Sequence, residues 1–126
     1  MINIHDNEIL SYKIDFKNQK IVIHTESTFE ENADIFFTDV LTHFFETQIK
    51  HNIIFDIEKY ELFQFIEDNR DLLISQKKYG WPTDYDTIEE LAEKLQKEQY
   101  FYYIICSSLG LCGWVLAKNY EVVPAK

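Results

Sequence analysis

Asp34-Ile35-Phe36-Phe37-Thr38-Asp39-Val40-Leu41-Thr42-His43-Phe44-Phe45-Glu46 is the stretch on which the fold turns. β-Branched residues and four phenylalanines fill it, which suits a pleated, half-buried surface. Its apolar residues fall on both faces, so either the strand is buried on both sides or a bulge switches the face midway. A helix competes, because Ile35, Thr38, Thr42 and Phe45 also repeat at helical spacing. The strand is the better reading, and a helix here would overturn the fold built on it.

Upstream, Leu10, Tyr12, Ile14 and Phe16 alternate with Ser11, Lys13 and Asp15, the pattern of a half-buried strand. Lys17-Asn18-Gln19 reads as a hairpin turn with Asn18 in the left-handed conformation. Lys20 to Glu26 returns as a strand with Ile21, Ile23 and Thr25 on one face, and Ser27 to Ala33 is a loop. Downstream, Asn52 to Glu58 makes a fourth strand around Ile53-Ile54-Phe55.

The period then changes. Leu62, Phe65, Ile66, Leu72 and Leu73 suit one amphipathic helix from about Lys59 to Tyr79, closed by Lys77, Lys78, Gly80 and Pro82. Thr87-Ile88-Glu89-Glu90 is a capping box that opens a second helix, lined by Ile88, Leu91 and Leu95. Tyr100 to Cys106 and Leu111 to Ala117 form a hairpin around Gly110, and Asn119 to Val123 adds a short closing strand. The order is four strands, two helices, then two or three strands. It predicts an α+β fold: a largely antiparallel sheet of about six strands with both helices on one face.

A single domain over residues 1–126 follows from the length and the lack of any Pro/Gly/Ser-rich linker. The 46% hydrophobic and 16% aromatic content excludes disorder, and 2 Cys exclude a disulfide scaffold. Cys106 and Cys112 flank the last hairpin and are expected as free thiols in a reducing cytosol. The N-terminus has neither a basic region nor an apolar one, and the longest hydrophobic run is far short of the roughly 20 residues that span a bilayer. A cytoplasmic protein without membrane contact is expected.

The charge is the most informative feature. The formal net charge is −10, and residues 21 to 49 hold no Lys or Arg at all while carrying Glu26, Glu30, Glu31, Asp34, Asp39 and Glu46. Such a field repels phosphate backbones, so nucleic-acid binding is disfavoured. It permits a basic protein partner, steered in by long-range attraction.

No motif carries chemistry. His24 and His43 with Asp39 could be drawn as a metal site, but no pair has ligand spacing, and neither metal nor cofactor is expected. Asp34 and Asp39 with Trp81 could be drawn as a sugar-cleaving cleft, but nothing selects those carboxylates from the others. Ser107 and Ser108 precede a glycine in a hairpin turn, not in a strand-to-helix elbow. Lys77-Lys78-Tyr79-Gly80-Trp81-Pro82 stands out more, as an aromatic turn beside a small basic island. That composition suits an interface, and equally a Trp packed under a helix end.

Ser11 to Asp15, Asn52 to Ile57, Lys77 to Pro82 and Gly110 to Lys118 together resemble a group of small acidic bacterial proteins of unknown function. In size, charge and fold class the chain also resembles immunity proteins that neutralise secreted toxins. That resemblance implies a non-catalytic, protein-binding role and assigns no residues. The segment without Lys or Arg and the aromatic turn give Glu30, Glu31, Asp34, Asp39, Tyr79 and Trp81 as the candidate partner surface. Self-association through a strand edge or aromatic face is the alternative. A small enzyme using carboxylates or histidines is a third.

Overall fold

The computed structural model describes residues 3–28 and 31–125. The elements run β1 (Glu8–Asp15), β2 (Lys20–Glu26), β3 (Ala33–Glu46), β4 (Asn52–Tyr60), α1 (Leu62–Asp68), α2 (Arg70–Gln76), a 3-10 turn (Lys77–Tyr79), α3 (Ile88–Lys97), β5 (Phe101–Leu109) and β6 (Cys112–Pro124). The fold is α+β. All six strands pair antiparallel, and the sheet closes into a barrel in the order β1-β2-β3-β6-β5-β4. Among the described residues each strand has two neighbours, which blunts the strand edge as a route to self-association.

The deciding stretch is a strand, and it is bulged. β3 pairs with β6 from Ala33↔Pro124 to Glu46↔Cys112, and the register shifts between Val40 and Thr42. Asp39 takes a positive φ of 53° just before the shift. Ile35, Phe37 and Val40 face the barrel interior, while Leu41 packs outward under the helices. Apolar residues on both faces are thereby reconciled: two different cores use them.

Those cores share β5 and β6. The barrel interior holds Ile9, Ile21, Ile23, Ile35, Phe37, Ile54, Tyr103, Ile105, Val115 and Ala117. Outside, Leu62, Phe65, Ile66, Leu73, Leu91 and Leu95 of the helices pack on Tyr102, Trp114 and Leu116. Trp114 to Ala117 is therefore buried on consecutive residues, alternately to one core and the other.

Several local expectations change. The segment 59–79 is not one helix: β4 continues to Tyr60, and Asn69 breaks the helix with φ −120° and ψ 19°. Its backbone amide and its side-chain Nδ2 both donate to the Phe65 carbonyl, at 3.1 and 3.0 Å, so the side chain closes off the first helix. The break turns Leu72 outward, 39% exposed, rather than onto the buried stripe. Leu10 also leaves the core, because a bulge between Ile9 and Ser11 puts Ile9 inside and leaves Leu10 in solvent. Phe16 lies in the turn, 82% exposed. In that turn Gln19, not Asn18, is left-handed (φ 53°), since Asn18 is held by two bonds to the Asp15 carboxylate. Asn119 to Val123 is not a separate strand but the continuation of β6.

Candidate functional site

A cleft of about 870 Å³ opens where β4 exits into α1 and α3 returns into β5. One wall is the first turn of α1, Glu61 to Phe63; the other is the end of α3, with Ala92 and Gln96. Gln99, Tyr100 and Phe101 form its back, and Asp39, Lys118 and Asn119 close it from the sheet side.

Local backbone explains this arrangement. Gln99 adopts a left-handed φ of 67°, which turns the chain sharply from α3 into β5. The β3 bulge presents Asp39 at the barrel end, where its carboxylate accepts from Asn119 Nδ2 at 3.1 Å. Leu62 anchors α1 in the core at 7% exposure, and the next residue, Phe63, stands 65% exposed at the lip.

The electrostatics are mixed but ordered. Lys118 Nζ lies over the Tyr100 ring at 5.1 Å, and Lys59 Nζ over Phe101 at 3.8 Å. Burial, then Glu98 and Asp39, push the Tyr100 phenol above its ordinary value, so it stays a neutral donor. Two carboxylates, three side-chain amides and three aromatic rings thus converge on one opening. Amides of this kind match peptide groups, and carboxylates and ring faces match cations, with Lys118 already among them; among these residues no nucleophile is paired with a base.

Of the residues singled out from sequence, only Asp39 lies on this cleft. Asp34 sits five residues earlier on β3, roughly 16 Å away along an extended chain, and pairs with His24 at 2.9 Å. That separation exceeds the roughly 5–10 Å over which a carboxylate pair cleaves a glycoside. Glu31 is exposed beside it, and Glu30 lies outside the described residues. Tyr79 is 71% exposed with Lys78 Nζ above its ring, free to touch a partner. Trp81 is engaged: Nε1 donates to Thr42 Oγ1 at 3.0 Å, and its ring contacts Phe65 and Trp114.

His24 and His43 are not brought together. His24 faces Asp34 across β2 and β3, whereas His43 is half-buried against Phe45, and that burial lowers its pKa. Among the described residues no group of three or more His, Cys, Asp and Glu is placed to hold a metal ion. Cys106 and Cys112 are free thiols, and burial with Glu58 and Asp56 pushes the Cys106 thiol up. Among the described residues no helix is long and apolar enough to cross a membrane.

Sequence reasoning missed Phe63, Gln96, Gln99 and Lys118. Phe63 was visible in principle, since it falls off the stripe of Leu62, Phe65 and Ile66 yet is large and apolar. The others are ordinary surface residue types, assembled only by the fold. No family model matches the chain, and no curated protein matches it in sequence.

Proposed function

We propose that the chain is a non-catalytic protein-binding domain whose partner is a basic protein, in the manner of an immunity protein acting on a toxin. The observation that carries this reading is the cleft, with the carboxylates of Asp39 and Glu61 inside it and Phe63 exposed at its lip. An exposed aromatic beside a concave, polar site is the composition of an interface anchor.

The partner's chemistry follows from the groups that would meet it. Gln96, Gln99 and Asn119 offer amides that match a peptide backbone. Tyr100 and Phe101 already carry the chain's own lysines, so their faces accept cations. An Arg or Lys of the partner displaces Lys118 from Tyr100 and pairs with Asp39 or Glu61. The net charge of −10 draws such a partner in and rejects acidic ones. The acidic Glu31 and Asp34 extend the attractive field beyond the cleft, and exposed Tyr79 offers a separate aromatic contact.

An amide-detected NMR titration with an arginine-rich peptide of about 12 residues tests this, against an acidic peptide of equal length. Shifts should centre on Phe63, Gln96, Gln99 and Asn119, and the affinity should fall about tenfold between roughly 50 and 300 mM salt. The doubly neutralised variant Asp39→Asn, Glu61→Gln should lose most of the binding. Shifts spread evenly over the surface, or equal binding of the acidic peptide, would refute the reading.

A further inference from the structure

The hairpin that joins β5 to β6 sets its two cysteines opposite each other. Ile105 pairs with Gly113, and two positions further on Ser107 Oγ donates to the Leu111 carbonyl. Cys106 and Cys112 lie between these two contacts, so they face each other across the ladder. Alternation puts both on the outer face: Tyr103, Ile105 and Val115 fill the barrel interior, whereas Tyr102, Ile104 and Trp114 pack outside it. Directly opposed residues of an antiparallel pair have Cα atoms about 4.5–5.5 Å apart, and a disulfide needs about 4.4–6.8 Å. Both thiols are free and partly exposed.

The neighbouring strands complete a row across the sheet. Asp56 of β4 pairs with Cys106, and Glu46 of β3 pairs with Cys112. Cys112 Sγ is turned toward β3, 3.8 Å from Thr47 Oγ1 and 4.0 Å from Glu46 Oε1, so bonding to Cys106 requires rotation about its Cα–Cβ bond. Burial, then Glu58, Asp56 and Cys112, pushes the Cys106 thiol up, so little of it is thiolate at neutral pH. The same carboxylates repel anionic disulfides, which favours an uncharged peroxide as the oxidant that reaches the pair.

We propose that Cys106 and Cys112 are a redox modification site, closed by hydrogen peroxide into a disulfide that clamps the β5–β6 hairpin. One thiolate attacks a peroxide oxygen; the O–O bond breaks, a sulfenic acid forms, and the departing hydroxide takes up the thiol's proton to become water. The second thiol attacks the sulfenyl sulfur, and the hydroxyl leaves with its proton as a second water. The two sulfurs lose two electrons in all, and the peroxide gains them. The hairpin is already tied by the bond from the Leu111 amide to Asn52, so the cross-link fits the existing fold rather than remaking it. Phe101 lies five residues back along β5, roughly 17 Å away, so the site stands independently of the cleft.

Treatment of the dilute full chain with hydrogen peroxide tests this. Alkylatable thiols should fall from two per chain to none, and the intact mass should drop by two hydrogens, both restored by dithiothreitol. Chymotrypsin cleavage after Leu109 or Leu111 separates the cysteines in sequence, and the two fragments should stay joined until reductant is added. Amide exchange across residues 107–111 should slow about tenfold in the oxidised chain. Cys106→Ser and Cys112→Ser should each gain oxygen or link chains in pairs instead, and the wild-type readouts need neither variant to fold. A wild-type chain that only gains oxygen, a link found only between chains, or hairpin exchange left unchanged would overturn the proposal.

Discussion

Gly113 shows how little room a single position can leave. A Cβ there would fall inside contact distance of the Phe44 carbonyl oxygen, where β3 and β6 run side by side. Neither backbone can yield without breaking the ladder. Gly113→Ala should cost about 3 kcal/mol or more, read by chemical denaturation. Thr87 presents the opposite case, a gain from one hydroxyl. Its Oγ1 accepts from the Glu90 amide at 3.1 Å, satisfying a donor that α3 cannot satisfy itself. The return bond of the expected capping box is not formed among the described residues; Glu90 is exposed, and water competes for its carboxylate. Thr87→Ala should cost about 0.5–2 kcal/mol, whereas Thr28→Ala in an exposed bend should stay within about ±0.5 kcal/mol.

Elements are held in place by a few buried polar side chains. Asn52, 8% exposed, ties the loop before β4 to the β5–β6 hairpin. Its Oδ1 accepts from Ile49 at 3.0 Å and from Leu111 at 2.8 Å, while Nδ2 donates to the Ile49 carbonyl at 2.6 Å. Asn52→Ala leaves three backbone groups without partners and should cost about 2–4 kcal/mol. Faster hydrogen exchange at the Ile49 and Leu111 amides would locate the loss. Asn7 and Thr25 make a second such tie, with Asn7 Nδ2 donating to Thr25 Oγ1 at 3.0 Å and Thr25 Oγ1 donating to the Ala33 carbonyl at 2.7 Å. It links the start of β1 to the β2–β3 pair.

For the molecule as a whole, closure of the barrel buries phenols that titrate late. Burial pushes Tyr120 up to about 12, and burial with the Asp68 carboxylate does the same to Tyr102. A phenol held neutral in the fold but ionising at its ordinary value of 10.0 when unfolded adds stability below that pH. The contribution is lost as pH rises from about 10 to 12. Tyr120→Phe should therefore flatten the alkaline limb of a stability–pH curve without altering the neutral one. The acid limb belongs partly to His43, whose pKa burial lowers. Its share is present above the unfolded histidine value and is lost as pH falls below it, so His43→Asn should soften that decline. The long β3–β6 ladder joins residues 33–46 to 112–124 and must form late, since closing so large a loop precedes any reward.

Period and punctuation in the chain determined which segments are strands and which are helices. Alternation marked β2, the aromatic and β-branched content of 34–46 marked β3, and Thr87 with Gly110 marked a helix start and a turn. These are local signals, set by backbone sterics and capping that act over a few residues. A bulge in β3 was legible as one alternative, from apolar residues on both of its faces, but those in β1 and β4 were not: Leu10 read as part of an alternating half-buried face because alternation assumes an unbroken ladder. Nor was the break at Asn69, which depends on whether a side chain prefers the Phe65 carbonyl to solvent. Of the cleft, only Asp39 could be singled out, since its other residues come from the start of α1, the latter part of α3, the turn after it, β5 and β6, and meet only when the sheet closes. Composition determined the charge. Which acidic and aromatic groups come together on the surface is a matter of register and packing, and those are decided between segments far apart in the chain.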